Sequence, residues 1–89
     1  MEFDWDDANI DHIARHHVTP EEAEEALTDP RRIGLDTYSP TDEIRYGVLG
    51  RTTEGRILVV IFTPRNGMVR VITARDANTT EKRRQRKQK

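Results

Sequence analysis

The chain contains no cysteine. It therefore has neither a disulfide framework nor a thiolate metal site, and a reducing cytoplasm is the simplest compartment for it. Long apolar runs are also missing, because the longest, ILVVIF, covers only residues 57–62. That run is shorter than the apolar core of a signal peptide and far shorter than a membrane span. We expect a soluble cytoplasmic protein that makes no membrane contact.

Sequence motifs for the common nucleotide and hydrolase sites are absent as well. The chain has no G-x-x-x-x-G-K-[ST], no G-x-G-x-x-G and no G-x-S-x-G, so phosphate-loop, dinucleotide and serine-hydrolase sites have no motif support. Its 89 residues leave room for one domain that buries little more than half of its unfolded surface. This size disfavours a deep internal substrate cavity.

Charge is distributed unevenly along the chain, although the net charge is only −1. Residues 1–30 hold ten acidic residues and one basic residue, residues 31–73 hold four and seven, and residues 74–89 hold two and seven. This uneven distribution indicates a basic surface that binds a polyanion and an acidic surface that binds a basic partner. The alternative is a fold whose two ends simply attract each other.

Residues 2–18 predict a short strand followed by a helix. The EFDW segment alternates polar and apolar side chains, as a strand does, and Asp6 or Asp7 can cap the helix that follows. An apolar stripe at helical spacing is expected to be buried. It consists of Ile10, Ile13, Ala14, His17 and Val18.

The start of a second helix is marked by a capping box. Thr19 and Glu22 have the required spacing, and Pro20 occupies the first helical position, where its missing N–H has no cost. The helix is expected to stop at Asp29-Pro30, because a residue before proline avoids the helical region. The first helix must therefore end near His16 or His17.

The second half of the chain predicts an antiparallel meander of three strands. Ile44, Tyr46 and Val48 alternate with polar residues or glycine, RILVVIFT is apolar on both faces, and MVRVITAR follows the hairpin signal Asn66-Gly67. A turn is expected at residues 53–55, and whether RRIGLDT adds a fourth strand stays open. Asn78 or Thr79 can cap a last helix, which lacks apolar residues with which to dock.

Together these elements predict an α+β domain, with two N-terminal helices packed on an antiparallel sheet of three or four strands and a short C-terminal helix. We place the domain at residues 1–80 and a basic tail at residues 81–89.

Three histidines are grouped in this chain. His12 and His16 have the four-residue spacing of zinc ligands on a helix, but no cysteine exists and a third ligand would have to be His17 or a carboxylate. We therefore expect no metal or other cofactor. His16 and His17 lie near a helix C-terminus, where the imidazolium form is favoured and can face a phosphate. The alternative role for them is simply to cap the helix.

Arginines recur on or beside the meander, and a guanidinium suits bidentate contact with phosphate oxygens. These arginines are Arg45, Arg51, Arg56, Arg65, Arg70 and Arg75. Arginine and histidine are sufficient for RNA cleavage without a metal, since cations stabilise the phosphorane and an acid protonates the leaving oxygen. A passive RNA-binding sheet needs exposed aromatic side chains instead, and only Trp5, Tyr38 and Tyr46 are candidates.

Three segments follow one another along the chain: FDWDDANIDHIARHHVTPEEAEEALTDP, EIRYGVLGRTTEGRILVVIFTPR and RVITARDANTTEKRR. In this order the chain resembles the BrnT family of type II toxin-antitoxin toxins over nearly its whole length. The resemblance implies a RelE-like fold, RNA cleavage that inhibits translation, and neutralisation by a BrnA-like antitoxin with a ribbon-helix-helix domain. The complex would bind promoter DNA through that antitoxin.

The resemblance also implies site residues. The basic-His pair of the family falls on Arg15 and His16, its strand arginine on Arg45, and its arginine after the meander on Arg75. We expect Arg45 and Arg75 to stabilise the scissile phosphate and His16, helped by Arg15, to transfer the proton. Tyr46, Arg51 and Arg65 are expected to contact the RNA substrate. His17 stands where the family usually has glycine, and Asp76 stands where another basic residue is common.

Two other functions remain open on the sequence alone. The chain could be a catalytically inactive homologue that keeps antitoxin binding and promoter regulation, because the basic surface offers no well-placed carboxylate base. It could also bind DNA or the ribosome through the basic tail.

Overall fold

The computed structural model describes residues 1–36 and 43–86. Within these ranges the order of elements is α1 (Asp7–Ala14), α2 (Pro20–Leu27), β1 (Ile33–Leu35), β2 (Tyr46–Arg51), β3 (Ile57–Arg65), β4 (Met68–Asp76) and α3 (Thr79–Arg86). The strands form one antiparallel sheet in the order β1-β2-β3-β4. The predicted α+β class is confirmed, and the strand left open within RRIGLDT exists as β1. Tyr38 lies outside the described residues.

Both N-terminal helices begin at side-chain caps. The Asp6 carboxylate accepts a hydrogen bond from the Asn9 backbone N–H at 3.2 Å, and Asn9 Oδ1 accepts one from the Asp6 N–H at 2.8 Å. The predicted box at α2 is also present, with Thr19 Oγ1 and Glu22 N–H 3.2 Å apart. These reciprocal bonds satisfy N–H groups that have no partner within the helix.

The end of α1 is a Schellman turn. The N–H of Val18 donates to the Ile13 carbonyl at 3.2 Å and the N–H of His17 donates to the Ala14 carbonyl at 3.0 Å. His17 has a φ of 59°, the left-handed conformation that usually favours glycine at this position. The helix ends at Ala14, two residues before the expected end near His16 or His17. His17 adopts the glycine-like backbone that returns the chain to the core.

The predicted apolar stripe of α1 is only partly correct. Ile13 and Val18 are buried, whereas Ala14 and His17 are exposed. His17 lies beyond the end of α1, where the backbone enters the left-handed region, so it no longer follows the helical spacing. The contact of α1 with β4 leaves Ala14 exposed. Asn9 takes a place in that contact instead, donating through Nδ2 to the carbonyls of Asp4 and Val71.

The sheet separates two apolar clusters. The larger one packs α1 and α2 against one face and comprises Ile13, Val18, Ala23, Ala26, Leu27, Val48, Leu58, Val60, Val71 and Ala74. The smaller one covers the opposite face and comprises Leu49, Ile57, Val59 and Ala77. Because β3 contributes to both clusters, it is the central strand that its uniformly apolar sequence predicted.

Positive backbone angles form the two predicted turns. Asn66 and Gly67 have φ values of 54° and 74°, as a two-residue hairpin with a type I′ turn requires. Gly55 has a φ of 92° in the turn between β2 and β3. The expected first strand is reduced to a single parallel bridge between Phe3 and Val69 at the edge of β4.

The C-terminal helix docks through a polar residue. Asn78 caps α3, since its Oδ1 accepts from the Glu81 N–H at 2.9 Å. Gln85 is only 3% exposed, so this helix docks although it lacks the apolar residues that usually serve for docking. The helix continues across the expected boundary between residues 80 and 81. None of the described helices is long and apolar enough to cross a membrane.

Gly50 sets the distance between α2 and β2. A Cβ atom built on Gly50 would collide with the backbone carbonyl of Ala26. We predict that Gly50→Ala lowers the free energy of unfolding by about 3 kcal/mol, because neither backbone can move without disturbing the core. Urea denaturation measures this change. Gly34→Ala is the control, since a Cβ there meets nothing within 4 Å, and equal losses in both variants would contradict the prediction.

Candidate active site

An open cleft of about 320 Å³ lies between α1, β4 and the chain that enters β2. It is lined by Ala8, Asn9, His12, Glu43, Arg45, Arg70, Val71 and Ile72. Its wall includes a β-bulge, because Ile61 pairs with Thr73 while Phe62 pairs with Val71, which leaves Ile72 as the extra residue of β4. Bulges often occur beside functional sites, where they redirect side chains.

His12 is held against β4. Its side chain is half-buried, and Nε2 lies 3.1 Å from Thr73 Oγ1. The centroid of its ring lies 6.0 Å from that of His16, in an edge-to-face arrangement. His12 is therefore a partly buried residue of the cleft wall. Its position next to Ile13 and four residues before His16 was the available sequence signal, but only the packing of α1 on β4 makes His12 part of the cleft.

The two arginines of the cleft have carboxylate neighbours. Arg45 Nη2 lies 3.2 Å from Glu43 Oε2. Arg70 Nη2 donates to Asp6 Oδ1 at 3.1 Å, and Arg70 Nη1 lies 3.5 Å from Asp4 Oδ2. The hydrogen bond from Arg70 lowers the pKa of the Asp6 carboxyl. Arg70 thus ties the start of α1 to β4, whereas Arg45 is the more accessible cation of the cleft.

Arg56 fixes the other end of α1. Its Nη1 donates to the His17 carbonyl at 2.6 Å and its Nη2 donates to the His16 carbonyl at 3.3 Å. The same guanidinium binds Asp76 Oδ1 through Nε at 2.8 Å and Glu22 Oε2 through Nη1 at 3.1 Å. Sequence reasoning counted Arg56 only as one of several arginines, because these partners are distant along the chain.

The carboxylates around Arg56 have lowered pKa values. The hydrogen bond from Arg56 lowers the pKa of Asp76. At Glu22, burial acts to raise the pKa, but the hydrogen bonds from the Thr19 backbone and from Arg56 outweigh it, and the pKa is lowered. Asp76 is therefore part of the ion-pair network that holds the end of α1.

Arg75 lies outside the cleft. It pairs with Val59 in the sheet, and its guanidinium forms a two-pronged contact with Glu81 of α3, with Nη1 to Oε1 at 2.9 Å and Nη2 to Oε2 at 3.0 Å. The contact lowers the pKa of Glu81. Such a fork-to-fork pair occupies the donors that a phosphate would use.

The remaining expected site residues are dispersed. Arg15 is exposed at the end of α1, Tyr46 stacks on Phe62 with ring centroids 5.6 Å apart, and Arg65 is exposed at the end of β3. Arg51 donates to Gln85 Oε1 at 3.1 Å on the α3 side. Of the expected site residues, only Arg45 lines the cleft. His16 does not line it, but its ring lies next to that of His12, which does.

Within residues 1–36 and 43–86, no three His, Cys, Asp or Glu side chains are grouped closely enough to hold a metal ion.

These features describe a small α+β protein with an open cleft that is lined by one histidine and two arginines, with a second histidine beside the first. Residues 5–81 match the family described as "Ribonuclease toxin, BrnT, of type II toxin-antitoxin system". The chain belongs to this family, which confirms the resemblance found in the sequence and implies a protein antitoxin as partner. A search of curated proteins finds no match to this chain. Every residue that lines the cleft lies within the matched range, whereas the end of α3 lies beyond it.

We predict that Arg56→Met lowers the free energy of unfolding at pH 7 by about 2 kcal/mol, because two helix-end carbonyls and two carboxylates lose a charged donor. The difference from wild type should shrink at pH 3. Asp76 and Glu22 have folded pKa values below the ordinary 3.8 and 4.5, so their contribution is complete above those values and is lost as the pH falls through the folded pKa.

Urea denaturation at both pH values tests this prediction. Arg83→Met is the control, because Arg83 is exposed and makes no ion pair with any residue that the structure describes. A stability difference between wild type and Arg56→Met that is the same at pH 7 and pH 3 would show that the carboxylates do not contribute.

Proposed function

We propose that this toxin is a metal-independent endoribonuclease with a RelE-like fold that acts in the cytoplasm and inhibits translation by cleaving RNA. The observation that carries the proposal is the pair of neighbouring imidazoles, His12 and His16, beside the cleft that Arg45 lines. RNA cleavage needs two proton transfers and a cation at the phosphate. These three side chains are of the right chemical types.

The proposed reaction is an internal transesterification. The ribose 2′-oxygen attacks phosphorus and gives its proton to one imidazole, while the bond from phosphorus to the 5′-oxygen breaks. The other imidazole donates a proton to that leaving oxygen, so that the products are a 2′,3′-cyclic phosphate and a 5′-hydroxyl. Arg45 stabilises the charge on the phosphorane by exchanging its contact with Glu43 for a phosphate oxygen.

Support for these roles differs among the residues. Thr73, which lies on the strand β4, fixes the orientation of the His12 ring. Arg56 binds the backbone carbonyl of His16. Arg15 is close to His16 in sequence and is exposed, so it is available to attract the RNA backbone. Tyr46 and Arg65 have exposed side chains that can contact RNA outside the cleft. Arg75 can contribute only when Glu81 releases it.

A protein antitoxin follows from the family, and we propose that it is BrnA-like, with a ribbon-helix-helix domain through which the complex binds promoter DNA. The acidic charge of residues 1–30 supports a basic complementary surface on that antitoxin.

A second candidate function is an inactive homologue that retains antitoxin binding and regulation. The ion pairs of Arg45 with Glu43 and of Arg75 with Glu81 favour it, because each carboxylate competes with a phosphate for the guanidinium. An active enzyme must exchange at least the first of these contacts on binding RNA.

We predict that purified wild-type protein cleaves RNA and that His12→Asn and His16→Asn each reduce the cleavage rate by about 100-fold or more, because asparagine keeps a polar group but transfers no proton near neutral pH. The rate of cleavage of a labelled single-stranded RNA measures this effect, and mass analysis of the products identifies the cyclic phosphate.

His17→Asn is the matched control. It removes the neighbouring imidazole, and asparagine tolerates the left-handed backbone at this position. The control should keep the wild-type rate. Wild-type protein that is folded and binds antitoxin but leaves RNA intact would refute the enzyme and support the inactive homologue. Equal losses in all three variants would refute the assigned roles of His12 and His16.

A further inference from the structure

A second cavity, of about 180 Å³, lies on the α3 side of the sheet. Its lining residues are Asp29, Arg31, Arg51, Gln85 and Arg86. They come from the loop after α2, the end of β2 and the end of α3, which are far apart in the sequence. The tertiary structure therefore brings three arginine residues to one small polar cavity.

These three arginines differ in their ion pairs from four other arginines of the fold. Arg45, Arg56, Arg70 and Arg75 all form ion pairs. Within residues 1–36 and 43–86, Arg31, Arg51 and Arg86 form none. Uncompensated guanidinium groups that converge on a cavity are suited to an anion, because each presents donors in a fork that matches phosphate oxygens.

Two polar residues organise the cavity. Gln85 is almost completely buried, and its Oε1 accepts from Arg51 Nη2 at 3.1 Å, which holds that guanidinium in place. The Asp29 carboxylate accepts from the Arg31 N–H at 3.0 Å and from the Arg51 N–H at 2.8 Å. Both of its oxygens thus bind backbone donors, and its charge offsets only one of three cations.

Helix stabilisation explains only part of this arrangement. Arg86 lies at the C-terminal end of α3, where a positive charge is favourable. Arg31 belongs to the loop before β1 and has no role at that helix end. The energetics of this helix end therefore does not explain why Arg31 lies in the same cavity as Arg51.

We infer that Arg31, Arg51 and Arg86 form a phosphate-binding site for single-stranded RNA, separate from the cleft with the histidines. The inference rests on the proposed ribonuclease function and extends it, because it assigns a substrate contact on the other side of the sheet. RNA is favoured over an acidic protein because the substrate proposed for the cleft carries a phosphate on every nucleotide, and a strand longer than the cleft presents further phosphates to a molecule whose longest dimension is only 33 Å. Binding here positions the strand and carries no sequence information.

Binding of a fully 2′-O-methylated RNA of about twelve nucleotides tests the inference, because this probe lacks the attacking hydroxyl and cannot be cleaved. The double variant Arg31→Gln/Arg86→Gln leaves Arg51 and its contact with Gln85 intact. We expect about tenfold weaker binding at 0.1 M salt. The slope of log K against log salt concentration should become shallower by about 1.4, since two contacts to a single strand are lost.

The matched control is Arg32→Gln/Arg84→Gln. It removes the same charge from the same loop and helix, but neither residue lines the cavity, and Arg84 lies about 160° around the helix from Arg86. The affinity of the control for the RNA probe should fall by less than about threefold. Its slope of log K against log salt concentration should stay near that of wild type. Equal effects of the two double variants would overturn the inference, because they would show a general charge effect.

Two further arms separate the possible failures. Loss of duplex DNA binding in Arg31→Gln/Arg86→Gln, with unchanged binding of the RNA probe, would overturn the assignment to RNA. Loss of RNA-probe binding in that variant, with the control unaffected, would support the site. If wild-type protein nevertheless left unmodified RNA intact, that result would refute the proposed cleavage and not the binding site.

Discussion

The guanidinium of Arg56 is the contact on which the arrangement of the N-terminal half depends. It joins the carbonyl groups at the end of α1 to Glu22 at the start of α2 and to Asp76 at the end of β4. Five donors in one plane allow a single side chain to satisfy several acceptors. A small domain with a thin apolar core gains positional order from such a polar junction, because burial alone fixes few of its angles.

This junction has a counterpart at the other end of the same helix. Arg70 binds Asp6, the cap of α1, so that α1 is attached to β4 at both ends. Between them, His12 reaches Thr73 on that strand. His12 therefore lies on a helix whose position is determined by charged contacts, and His16 lies in the turn that ends this helix. The roles proposed for these two histidines need such support, because a rigid element places a functional group more accurately than a loop does. His17, in its left-handed conformation, ends this helix so that Val18 can return to the core.

Two groups of arginines have different consequences. Arg45, Arg56, Arg70 and Arg75 are paired with carboxylates, which stabilises the fold and obliges any phosphate to compete. Those around the α3 cavity have no such partner among the described residues, which leaves them available to a polyanion. The nearly neutral net charge of the chain conceals this difference, since pairing decides which charges can act on a ligand.

The sequence by itself determined the local structure and the family. The capping box at Thr19, the turn at Asn66 and the order of helices and strands are encoded by residues within about four positions of one another, and the family is carried by the order of short motifs. The tertiary structure alone decided which polar groups meet. Arg56 finds Glu22 and Asp76, which are 34 and 20 positions away, and the path of β4 brings His12 into the cleft while Arg75 faces α3. Such contacts depend on the packing and register of several elements together, which no local pattern specifies.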